Sequence, residues 1–168
     1  MLPFKLHDVM GAAENEWKLH HTLDSASRLG KGCKATLILG NHSEEKKKEI
    51  YFMGKHMYLS YRAAKDLSIF RSDELPTSGK FLLISAPLLF HLEEDPSLFE
   101  EIKKGSETIE NIDFAKIHEI VRNGPGILKT KELLSKNNLI ALTLLHKFPK
   151  SESQRAVENL ILALVDEH

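Results

Sequence analysis

Apolar residues recur at three- and four-residue steps along almost the whole chain, and no run alternates convincingly with period two. The first spacing lines up side chains on one face of a helix, and the second is what a half-buried strand requires. A chain that carries only the first pattern must bury helices against helices, so the class is all-α.

The pattern also divides the chain into elements. Trp17, Leu19, Leu23, Ala26, Leu29, Cys33, Leu37 and Ile38 predict one broad apolar helix face, stopped at Gly40-Asn41. Ser43 with Glu44 and Glu45 opens the next helix, because acids there complement the positive end of the helix dipole. That helix runs to Phe70, with Glu44 to Glu49 toward solvent and Ile50, Met53, Met57, Tyr61 and Ala64 inward. Arg71 to Lys80 is polar, contains Pro76 and reads as a loop. Asp95-Pro96 predicts a helix start, and Asp113 caps a short helix through Val121. Asn123-Gly124-Pro125-Gly126 is a turn, followed by a long helix from Ile127 to Phe148. Ser151-Glu152-Ser153-Gln154 has the form of a capping box in which Gln154 reaches back to Ser151. The helix it opens is predicted to bury Ala156, Leu160, Ala163 and Leu164.

The 168 residues suffice for one domain with a core and are few for two. A formal charge of −1 argues against electrostatic nucleic-acid binding, which needs a basic face to neutralise phosphates. The best membrane candidate, Phe81 to Phe90, falls well short of the roughly 20 apolar residues of a spanning helix. The start, MLPFKLHDVMG, lacks the features of a signal peptide and is not a convincing mitochondrial transit peptide. A single cysteine, Cys33, excludes an internal disulfide framework, and its place on the apolar stripe makes it a packed thiol. His20-His21 point to different sides of a helix, and the other histidines show no ligand spacing.

Three segments in order resemble the trans-polyprenyl diphosphate synthases. Asp24-Ser-Ala-Ser-Arg-Leu-Gly-Lys-Gly-Cys-Lys-Ala, with Ile38-Leu-Gly-Asn, is similar to the family helix that carries a Lys-Thr-Ala-Ser stretch and ends in a Leu-Gly turn. Gly54-Lys-His-Met-Tyr-Leu-Ser-Tyr-Arg-Ala-Ala-Lys-Asp-Leu-Ser-Ile-Phe resembles the helix of the second aspartate-rich motif, Phe-Gln-x-x-Asp-Asp-x-x-Asp. Ser85-Ala-Pro-Leu-Leu-Phe, and the stretch from Val121 to Val165, resemble the helices that close the fold. The likeness covers the chain from about Trp17 onward. It is nearest to the divergent second subunits of heteromeric, decaprenyl-type synthases. It implies the C-terminal half of the isoprenoid-synthase helical bundle, six to seven helices, with residues 1–168 forming a single partial domain.

In that family, carboxylates at i, i+1 and i+4 of a helix gather Mg²⁺, which holds the diphosphate leaving group of an allylic substrate. The matching positions here are Lys65, Asp66 and Ile69, with Arg62 in place of the family glutamine. One carboxylate survives, and the Lys65 ammonium repels a cation by about 1 to 4 kcal/mol at 4 Å. Asp66 is therefore a weak metal-ligand remnant. Arg62, Lys65 and Lys80 either hold a diphosphate directly or lie on a solvated or subunit-facing surface. Asp24 stands where the family has a diphosphate-contacting lysine. Met53 and Met57 with Tyr61 could line a prenyl-tail tunnel or form a helix seam.

The resemblance thus implies a non-catalytic or regulatory subunit of a prenyltransferase serving ubiquinone synthesis, inactive by itself. Its partner would be the catalytic subunit, which would hold most of the Mg²⁺. It implies a mitochondrial location and possible contact with prenyl diphosphates. The alternative is a stand-alone helical interaction module that has lost prenyl chemistry.

Overall fold

The computed structural model describes residues 4–106 and 108–166; Met1 to Pro3 of the N-terminal stretch considered above lie outside them. The described elements are helical throughout: α1 Leu6–Val9, α2 Ala13–His21, α3 Ser27–Leu39, α4 Glu44–Ile69, α5 Ala86–Glu94, α6 Leu98–Lys103, α7 Phe114–Arg122, α8 Gly126–Leu145 and α9 Glu152–Asp166. The all-α expectation holds. The described residues form nine α-helices where six to seven were expected, because the stretch from Trp17 to Ile38 divides into α2 and α3 and the four-residue α1 is added.

Termini follow the local chemistry. The Ser43 hydroxyl accepts from the Lys46 N–H at 3.4 Å, and the Asp113 carboxylate accepts from the Lys116 N–H at 3.0 Å. At the end of α3 the left-handed residue is Asn41 (φ 51°), while Gly40 keeps a negative φ of −80°. His42 N–H then returns to the Leu37 carbonyl at 3.0 Å, satisfying a carbonyl left open at the end of α3. The helix expected from Asp95-Pro96 begins at Leu98, because Asp95 Oδ1 takes the Ser97 N–H (3.0 Å) in a turn before it.

Two apolar faces were mis-phased by the sequence reading. Between α2 and α3, Thr22–Ala26 is a π-helical turn, which inserts one residue into the ladder. The buried side accordingly runs Ala13, Trp17, His21, Ala26 and Gly30, with a five-residue step at the bulge. Leu19, Leu23, Leu29 and Ile38, expected inside, are exposed. In α9 the buried side is Val157, Ile161 and Leu164, and Ala156, Leu160 and Ala163 face outward, because the helix carries apolar residues on two sides and only one meets a core. Gln154 also departs from the capping box: its amide donates to the carbonyls of Leu145 (3.1 Å) and Phe148 (3.0 Å), closing the end of α8. Ser151 still caps, accepting from the Gln154 N–H at 3.0 Å.

The chain forms two compact units, residues 1–17 with 65–131, and residues 18–64 with 132–168. In the first, α5 is buried from Ala86 to Leu92 among Leu83, Ile84, Leu98, Ile102, Ile117 and Val121. Phe70, Phe81 and Phe114 pack edge to face, and His118 stacks on Phe70 while its Nε2–H donates to the Ile69 carbonyl at 2.9 Å. In the second, Met53, Ala141, Leu145 and Ile161 form the core, flanked by Cys33, Ile50 and Met57. Burial raises the Cys33 thiol pKa, as expected of a packed cysteine.

Within the second unit α3 and α4 meet at glycines. A Cβ on Gly30 would stand 2.7 Å from the Tyr51 carbonyl oxygen, and one on Gly54 2.8 Å from Cys33 Sγ. Gly54→Val should therefore destabilise the chain by about 1 to 3 kcal/mol, read as a lower urea midpoint at unchanged slope.

Two buried histidines, His21 and His91, and the half-buried His56 couple the fold to pH. Burial, reinforced by Arg62 and His20, lowers His21 to about 4. Burial likewise lowers His56, whose Nδ1–H donates to Asn137 Oδ1 at 2.8 Å, and His91, whose ring nitrogens meet no hydrogen-bond partner. Because each pKa is lower folded than the unfolded 6.5, stability is complete above that value and falls as pH drops toward 4. Thermal melts should show this loss, and His91→Leu should flatten it relative to the parent chain.

Candidate functional site

The helix carrying the degraded aspartate motif is α4. Its C-terminal turns place Ala63, Ala64, Asp66, Leu67 and Phe70 inside, and Tyr61 and Lys65 outside. Tyr61 is 45% exposed, which removes it from the apolar side assigned to it by spacing.

Asp66 is fully buried. Its Oδ2 accepts the Trp17 indole N–H at 2.8 Å and the Ala86 backbone N–H at 2.9 Å. Ala86 is the first residue of α5, whose amides carry the positive end of the helix dipole. The residue in the capping position, Ser85, is buried and makes no side-chain capping bond. Asp66 therefore supplies from another helix the acceptor that α5 lacks locally. Trp17, the chain's only tryptophan, is fully buried and needs an acceptor for its N–H. Sequence reasoning missed this partner; a lone tryptophan facing a lone motif carboxylate was the available signal.

The cations are dispersed. Arg62 is half-buried and lies near His21, whose pKa it helps depress after the larger effect of burial. Lys65 is exposed on the next turn. Lys80, in the loop after α4, faces Glu110 at 3.4 Å, an exposed pair of little energetic weight. Asp24 lies in the π-helical turn, accepting from the Ser25 hydroxyl at 2.9 Å with Arg28 at 3.8 Å.

A Mg²⁺ site needs several oxygen ligands disposed around one point. Asp66 Oδ2 is committed to two N–H donors, positions 65 and 69 hold lysine and isoleucine, and no three His, Cys, Asp or Glu side chains gather among the described residues. The described residues do not by themselves form such a site.

No protein-family model matches the chain. Curated relatives do. The human all trans-polyprenyl-diphosphate synthase PDSS2 is 31% identical over 150 residues, covering 88% of this chain and 37% of the relative. The mitochondrial hexaprenyl pyrophosphate synthase of Saccharomyces cerevisiae is 31% identical over 162 residues, covering 92% of this chain and 34% of the relative. The chain belongs to the polyprenyl diphosphate synthase family. It spans little more than a third of these relatives' length. Among solved structures, the apo form of an Arabidopsis medium/long-chain prenyl pyrophosphate synthase superposes with a TM-score of 0.65 at 22% identity, over 82% of this chain and 49% of that one. The fold is therefore that of the isoprenoid synthases, as the motif order implied.

The Asp66 bonds are both buried and both involve a carboxylate, so their loss leaves two donors unsatisfied. Asp66→Ala should cost about 3 kcal/mol, and Trp17→Phe about half as much. In a double-mutant cycle by urea unfolding the two should couple, the second change costing little once the first is made.

Proposed function

We propose that this chain is a non-catalytic or regulatory subunit of a heteromeric polyprenyl diphosphate synthase. The observation that supports this reading best is that the motif's one remaining carboxylate, Asp66, accepts from the Trp17 indole and the Ala86 backbone N–H. Lys65 and Ile69 at the flanking motif positions support it, since neither can replace a carboxylate. In this reading Mg²⁺ and the ionisation of the allylic diphosphate belong to an aspartate-rich catalytic partner. Each of Arg62, Lys65 and Lys80, taken singly, would be a cation able to meet a prenyl diphosphate. The polyprenyl product would serve the ubiquinone side chain, and the site of action would be the mitochondrion, the compartment named for several relatives. Outward apolar side chains on the second unit, among them Leu23, Leu139 and Leu160, fit a subunit that buries surface in a heteromer.

Co-expression of this chain with an aspartate-rich polyprenyl synthase tests the reading. The two should co-purify, and the complex should differ from the partner alone in turnover or product length. The chain by itself should show no Mg²⁺-dependent elongation. Co-purification with unchanged turnover and product length would instead indicate an interaction module without a part in prenyl chemistry.

A further inference from the structure

The tip of the α3–α4 hairpin is unusual for an exposed turn. Leu39 is 89% exposed and Ile38 53%, side by side, with Gly40, Asn41 and His42 turning beneath them. Turn tips are ordinarily polar, because apolar groups held in water gain nothing from folding. Here the turn is held firmly, by Asn41 at positive φ and the His42-to-Leu37 bond, so the leucine is presented and not frayed. The Gly30 and Gly54 contacts fix the two helices behind it at close approach.

Directly behind this apolar tip the surface is basic. Lys31, Lys34, Lys48, Tyr51 and Glu44 line a groove of about 440 Å³ between the two helices. None of those three lysines enters an ion pair among the described residues, and Lys46 adds a fourth amine one turn into α4. Of the neighbouring acids, Glu44 pairs with Lys47 at 2.9 Å and also feels Lys34, Glu49 pairs with Lys147 at 2.7 Å, and Glu45 stands beside them in the first turn of α4. Between residues 24 and 55 there are seven Lys or Arg against four Asp or Glu, a local excess of positive charge in a chain of net −1. With a rise of about 1.5 Å per residue, Lys34 lies roughly 6 Å behind Ile38 along the helix. That offset matches the depth, about 5 to 10 Å, at which an apolar wedge sits below lipid headgroups.

We propose that the α3–α4 tip docks on an anionic membrane surface. Leu39 and Ile38 enter the interfacial layer, and Lys31, Lys34 and Lys48 meet phosphate or carboxylate headgroups, one of them seated in the groove against Tyr51. The charge complement decides for an anionic lipid surface over a purely apolar partner. No helix of the described residues is long and apolar enough to cross a membrane, so the attachment is peripheral. The proposal is independent of the subunit reading and holds whether or not the chain joins a synthase.

Sedimentation of the full chain with vesicles tests it, using phosphatidylcholine alone and phosphatidylcholine mixed with phosphatidylserine. The chain should bind the mixed vesicles, bind plain ones weakly, and be released by high salt, which screens the lysines. Lys31→Ala with Lys34→Ala should weaken binding roughly tenfold or more. Leu39→Asp should weaken it comparably while leaving the thermal melt of the chain unchanged, since the side chain packs against nothing. Equal binding to plain and mixed vesicles, or binding to mixed vesicles indifferent to Leu39→Asp, overturns the proposal. So does binding to polyglutamate in preference to vesicles, which would make an acidic protein the partner.

Discussion

A single buried carboxylate connects three parts of the first unit. Asp66 on α4 holds the indole of Trp17 on α2 and the leading amide of α5. A carboxylate in a core is costly unless its lone pairs are taken, and two N–H donors on one oxygen, with a helix dipole behind one of them, offset that cost. The arrangement answers two further demands, since Trp17 requires an acceptor and α5 begins at a serine whose hydroxyl does not cap it. The rest of the unit packs around the same elements: α5 is buried along its length, and the Phe70, Phe81 and Phe114 cluster closes over the end of α4.

That interaction also alters the meaning of the aspartate-rich motif. A metal-binding carboxylate must point its oxygens into a cavity that charged substrate can reach. Asp66 is oriented inward instead, and the outward positions of the same turns carry Lys65 and the partly exposed Ile69. Relatives with polyprenyl synthase names share about a third of their residues with this chain over the matched stretch. The helical framework that they share requires buried apolar spacing, which tolerates many side chains. Chelation, by contrast, requires particular atoms at particular positions.

Much of the fold was legible because it depends on local chemistry. The stop after Leu39, the starts at Ser43, Asp113 and Ser151, and the loop after Phe70 each follow from one or two residues whose backbone or side-chain preferences act within a turn. What failed was phase. The π-helical turn at Thr22–Ala26 moved the buried face by one residue, and no residue type there announces it. In α9 the choice between Leu160 and Ile161 as the inward side chain depended on which neighbours were present, and both readings satisfied the helical period.

By itself the sequence determined the all-helical class and most of the helix ends, because periodicity and capping are local properties; that one carboxylate of three stands at the motif positions is what the resemblance implied. Only the tertiary structure decided what the third carboxylate does. Trp17 and Ala86 lie 49 and 20 residues from Asp66, and hydrogen bonds across such separations exist only once the core has brought the donors together. The tertiary structure likewise left Ile38 outside, beside Leu39 and above a row of lysines, where the periodic pattern had placed it on the apolar face. Burial is a property of neighbours, and neighbours in space are what a one-dimensional period does not contain.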